Sequence, residues 1–82
     1  MINIEKLKSI LCRKVKLNNG KRDLDINIGE IAREIGCSSS DVLAGLKQLQ
    51  YSGEIKRLLQ VGGKEEYTLS ILPKSSVLNQ LM

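Results

Sequence analysis

The sequence predicts a small α+β domain, mostly α, with three helices, one short strand and a C-terminal two-stranded hairpin. Three observations predict it. Apolar residues recur at spacings of three and four in three separate stretches, which is the period of one helix face. Two later stretches flank Gly62-Gly63, a dipeptide suited to a hairpin turn. A chain of 82 residues can bury one hydrophobic core and no second.

The first helix is expected over residues 3–17. Ile4, Leu7, Ile10, Leu11 and Val15 make one stripe, and Asn3 can cap it. Asn18-Asn19-Gly20 ends it, because Asn and Gly tolerate the left-handed conformation of a helix exit. Asp23 to Ile28 alternates polar and apolar residues, the period of a half-buried strand. Asn27 with Glu30 three residues later then suits a capping box for a second helix. Its stripe is Ile28, Ile31, Ala32 and Ile35, and Gly36 stops it. Ser38 with Asp41 opens a third helix over about residues 39–52, anchored by Val42, Leu46 and Leu49 and ended by Gly53. Glu54–Val61 and Lys64–Ile71 read as the two hairpin strands, with Tyr67, Leu69 and Ile71 on one face. Pro73 breaks the chain, so residues 1–72 form the domain and 73–82 a tail or short extra helix. Val77, Leu78, Leu81 and Met82 in that tail suit either the core or a dimer contact.

Composition excludes several chemistries. There is no His, so Ser-His, Cys-His and His-metal sites are ruled out. Two cysteines, Cys12 and Cys37, cannot complete a tetrahedral zinc site and read as small buried hydrophobes. No apolar run reaches the ~20 residues of a membrane helix. The opening Met-Ile-Asn-Ile-Glu-Lys lacks the order of a secretory signal. These observations predict an intracellular, non-enzymatic domain without cofactor, metal, membrane contact or small-molecule substrate. With no Phe or Trp and only two Tyr, the core must be aliphatic.

The net charge of +4 is unevenly spread. Residues 1–22 carry seven basic side chains against Glu5 alone. Residues 23–55 are net acidic, and residues 56–82 are again net basic. A basic flank and tail around an acidic middle suit an anionic partner met off-centre. Asp23 and Asp25 share one strand face, but nothing else converges on them, so they read as solvent-facing.

The run Ile26 to Ile55 resembles the winged helix-turn-helix superfamily, and the flanks extend the likeness to Ile71. Ala32 is small where two helices cross closely, Gly36-Cys37-Ser38 is the turn, and Gly53 followed by Ile55 returns the chain into the hairpin. The resemblance implies a winged helix: a three-helix helix-turn-helix core with a β-hairpin wing. It implies binding to double-stranded DNA through the third helix, the wing at about residues 56–66 and the basic flanks. Carried onto this chain, the third-helix contacts are Ser38, Ser39, Ser40, Ala44, Lys47, Gln48 and Tyr51, beside Leu43. Gln48 suits adenine, Lys47 a phosphate or guanine, and the serines phosphates at a helix N-terminus. The wing contributes Arg57 and Lys64, and Lys21 and Arg22 add phosphate contacts. Such a module serves as a transcription regulator or an accessory domain of a replication, repair or transcription protein.

The chain departs from that pattern in three ways. Leu43 and Ala44 stand where specific readers carry polar or basic groups, Asp41 sits at the leading end, and the third helix has no Arg. These departures support a second reading, a protein-interaction or scaffolding domain, or a homodimer, using the apolar third-helix face.

Overall fold

The structure, a computed structural model, describes residues 2–81, with side chains as far as Asn79. The element order is α1 (Ile4–Leu17), β1 (Asp23–Asn27), α2 (Ile28–Ile35), α3 (Ser39–Tyr51), β2 (Ile55–Gln60), β3 (Glu66–Ile71) and a 3-10 turn (Ser76–Leu81). About half the chain is helical. The anticipated contributions of the Leu81 side chain and of Met82 lie outside the described residues.

Each helix starts where its cap residue directs. Asn3 accepts from the Lys6 N–H at 3.1 Å. Asn27 is both the last residue of β1 and the cap of α2, accepting from the Glu30 N–H at 2.9 Å. Strand therefore passes into helix with no linker. Ser38 and Asp41 form the full capping box of α3. Gly36 closes α2 in the left-handed region at φ +88°, where a side chain would be strained.

The short strand does not stand apart from the hairpin. β1 pairs antiparallel with β3, from Asp23 opposite Ser70 to Asn27 opposite Glu66, and the sheet order is β1-β3-β2. Pairing satisfies the backbone groups of a strand that would otherwise be marginal alone. Leu24 and Ile26 face the core opposite Leu69 and Tyr67, while Asp23 and Asp25 face solvent.

The return strand starts at Glu66 rather than Lys64. The Val61 N–H donates to the Glu66 carbonyl at 2.8 Å, and the Glu66 N–H to the Gly63 carbonyl at 3.2 Å. These bonds turn Lys64 and Glu65 into loop. β2 also carries a bulge: Lys56 pairs with Ser70 and Leu59 with Thr68, leaving Arg57 and Leu58 opposite Leu69. Arg57 occupies the left-handed region at φ +55°.

The core is aliphatic. Leu7, Leu11 and Val15 of α1 meet Ile31 of α2, Val42 and Leu46 of α3, and Ile55, Leu69 and Ile71 of the sheet. Gly45 of α3 is buried under Ile2 and Leu7, so close that an added Cβ would press to 3.0 Å on both. Both cysteines are free; Cys12 is buried and Cys37 partly so.

The 3-10 turn packs on α1 and places Val77 in the core. Glu54 fastens it. Its carboxylate accepts from the Ser75 hydroxyl at 3.1 Å, the Ser76 N–H at 2.9 Å and the Ser76 hydroxyl. The Ser76 hydroxyl is the main reason the carboxyl is held below its ordinary range. The Ser75 hydroxyl, the Ser76 N–H and the Lys8 charge add to it, and burial opposes them.

Candidate nucleic-acid interface

α3 has two faces. Val42, Gly45, Leu46 and Leu49 are buried. Ser40, Ala44, Lys47, Gln48 and Tyr51 recur at three and four on the opposite side and are exposed, Tyr51 to 95%. Among the described residues, no side-chain hydrogen bond or ion pair engages Ser40, Lys47, Gln48 or Tyr51.

The start of α3 is occupied. The Ser38 hydroxyl accepts from the Asp41 N–H at 3.1 Å, so its oxygen serves the cap. The Ser39 hydroxyl donates to the Glu65 carboxylate at 2.5 Å. Glu65 comes from the β2–β3 loop, and its carbonyl also accepts from the Ile28 N–H at 2.9 Å. Its carboxylate lies over Gly29, where a Cβ would collide with it. The Asn27 amide donates to the neighbouring Glu66 carboxylate at 2.9 Å. The hairpin loop is thus strapped to the heads of α2 and α3. A carboxylate rests at the positive ends of two helices, the place such ends offer an anion.

Leu43 departs from the exposed position expected of it. It is half-buried, packs against the core, and lines a cleft of about 580 Å³ with Ser39, Ser40, Lys64 and Tyr67. Leu43 lies one residue from Val42, on the edge of the buried stripe, which turns it partly toward the core. Lys64 is exposed on the wall of this cleft, which Glu65 and Glu66 also line.

Four other cations gather at the other end of the sheet. Lys21, Arg22, Lys56 and Arg57 line a second cleft, of about 460 Å³. The structure therefore divides the anticipated contacts into three groups. Ser39, Ser40 and Lys64 meet at the loop-side cleft, Lys21, Arg22 and Arg57 meet at the sheet end, and Ala44, Lys47, Gln48 and Tyr51 stand on the α3 face lining neither, while Ser38 serves the helix cap. Arg57 is not at the hairpin tip but in the bulge near the opposite end of β2. Sequence reasoning missed Lys56, which only strand pairing brings beside Lys21 and Arg22. It missed Glu65 as a strap as well. A glycine at position 29, inside the first turn of a helix, was the one local signal of that close approach.

The basic run on α1 is partly neutralised. Arg13 meets Glu34 of α2 at 2.7 Å through both carboxylate oxygens. Among the described residues, no three His, Cys, Asp or Glu side chains come together as a metal site, and no helix is long and apolar enough to cross a membrane.

The chain matches no protein-family model, no curated protein and no solved structure. Its function is therefore argued from its own residues.

Proposed function

We infer that the domain is a winged-helix nucleic-acid-binding module that engages duplex DNA with the exposed face of α3. The observation that carries this reading is the α3 stripe itself. Ser40, Ala44, Lys47, Gln48 and Tyr51 form one continuous solvent-facing row, and among the described residues its side-chain hydrogen-bonding groups meet no partner. A helix held by one face and offering polar, uncommitted side chains on the other fits the major groove, whose base edges such groups can read. The basic sheet end adds long-range attraction for phosphate. The order of helices and strands is the one that the winged-helix resemblance implies.

The protein-partner reading draws less support. It relies on Leu43 and Ala44 with their neighbours, and Leu43 is half-buried against the core, which leaves Ala44 and Tyr51 as the exposed apolar part of that face. On the DNA reading, the module serves as a transcription regulator or an accessory domain of a replication, repair or transcription protein.

The test is fluorescence anisotropy with a labelled random duplex. Affinity is expected to fall roughly ten- to a thousandfold as salt rises from about 50 to about 200 mM, as several phosphate contacts require. Lys47→Ala with Gln48→Ala should weaken binding at both salts. Unchanged affinity in that variant would remove α3 as the reader, and no binding at the lower salt would end the DNA reading.

A further inference from the structure

The end of the sheet away from the hairpin loop gathers charge from two distant parts of the chain. Lys21 and Arg22 precede β1, and Lys56 and Arg57 lie on β2. β3 runs between them, with Ser70 opposite both Asp23 and Lys56. Ser70 is only 6% exposed although it lies on the open face of the sheet, because the Asp23 and Arg57 side chains close over it.

Arg57 is placed there by the bulge. Its left-handed backbone, at φ +55°, is unusual for a residue with a side chain and is held against steric strain. In this conformation its guanidinium donates to the Ser70 hydroxyl at 3.3 Å and stands 3.9 Å from the Asp23 carboxylate. The Ser70 hydroxyl in turn donates to Asp23. The Arg57–Asp23 contact is long and well exposed, so it holds Arg57 weakly. The other three cations are not neutralised: among the described residues, the side chains of Lys21, Arg22 and Lys56 form no ion pair or hydrogen bond. One carboxylate faces four cations around a cleft of about 460 Å³. Like charges so placed repel one another until an anion enters.

We propose that this cleft is a phosphate-binding site, and that it receives a phosphodiester of the nucleic-acid backbone. Arg57 moves its contact from Asp23 to the phosphate, for which its fork of donors is better matched in geometry and charge. Arg22, Lys21 and Lys56 supply the surrounding positive field. The site rests on the DNA reading and deepens it: the sheet end, not the hairpin loop, carries the backbone affinity.

Two measurements test it. The first is the slope of log affinity against log salt for a labelled duplex, in the native protein and in Arg22→Ala with Lys56→Ala. Both side chains are exposed, and circular dichroism checks that the variant is folded. The slope should become shallower by about two, because each lost phosphate contact removes roughly 0.9. An unchanged slope in a folded variant overturns the proposal while leaving α3 as the reader. If the native protein binds no duplex, the DNA reading falls, and the second measurement decides for the cleft. It is a titration with inorganic pyrophosphate followed by amide NMR. Saturable shifts at Lys21, Arg22, Lys56 and Arg57, absent from the α3 face, support a phosphate site for a free ligand. Shifts elsewhere, or none, overturn it.

Discussion

The two ends of the sheet treat anions in opposite ways. At the loop end, Glu65 sits against the heads of α2 and α3, Glu66 is held by Asn27, and Lys64 is the one cation among them. At the other end, four cations surround a cleft with Asp23 as their lone carboxylate. The helix heads would ordinarily attract phosphate, yet the chain fills that place with its own carboxylate. The difference teaches that helix starts legible in the sequence do not by themselves say where an anion is met. On the DNA reading proposed above, charge placement by the sheet decides it.

The largest expected effect breaks the comparison by reversing the basic end. Arg22→Glu with Lys56→Glu should lower duplex affinity by about a hundredfold at low salt, since two attractive charges become repulsive. Stability should barely change, because both side chains are exposed and, among the described residues, form no hydrogen bond or ion pair. Anisotropy and thermal denaturation on the same samples check both statements. An equal loss from Lys64→Glu alone would mean that the loop end takes the phosphates after all.

Much of the fold was legible because helix boundaries are local. Asn3, Asn27 and Ser38 announce three starts, and Gly36 and Gly53 two ends, each through its own backbone or side-chain geometry. Pairing is not local. Nothing near Asp23 says that it will face Ser70, so the third strand of the sheet, and with it the meeting of Lys56 with Lys21 and Arg22, could not be read. The bulge at Arg57 was hidden for a different reason. Its left-handed residue is usually glycine, and here an arginine takes the position. The α3 row was legible from periodicity, but Leu43 was misplaced because it stands at the edge of the buried stripe, where packing against the rest of the core decides its exposure. Gly62-Gly63 marked the hairpin turn correctly but not its length, which the backbone bonds of Glu66 with Val61 and Gly63 set.

A second, smaller effect concerns why the basic end stays basic. Glu54 lies two residues before Lys56 yet turns inward, onto Ser75 and Ser76. These partners favour its ionised form, so its pKa is lowered in the folded state. The resulting stabilisation is full above the ordinary carboxylate range. It is lost as pH falls through the lowered folded value. Glu54→Gln should cost about 1–2 kcal/mol at neutral pH, the range for hydrogen bonds to a charged group at a part-exposed site. The variant should also show a flatter decline of Tm in acid. Thermal melts across neutral to acidic pH would reveal this; parallel declines in both proteins would place the acid sensitivity elsewhere.

The smallest effect sharpens the comparison at the loop end. Glu65→Gln removes the carboxylate charge from the helix heads, and duplex affinity should rise by about three- to tenfold, the worth of one charge-assisted contact no longer in competition with phosphate. Charge removal alone would raise affinity wherever the residue lay, so a second variant separates the causes. Gly29→Ala leaves every charge in place but puts a methyl group where the Glu65 carboxylate rests, and the flexible glutamate must swing away. Gly29 is helical with no left-handed requirement, so alanine itself costs the backbone nothing there and favours the helix. If Gly29→Ala matches Glu65→Gln in anisotropy, the strap masks the helix heads by occupying them. If only Glu65→Gln gains affinity, the carboxylate acts through its field, and the heads of α2 and α3 take no part in holding DNA.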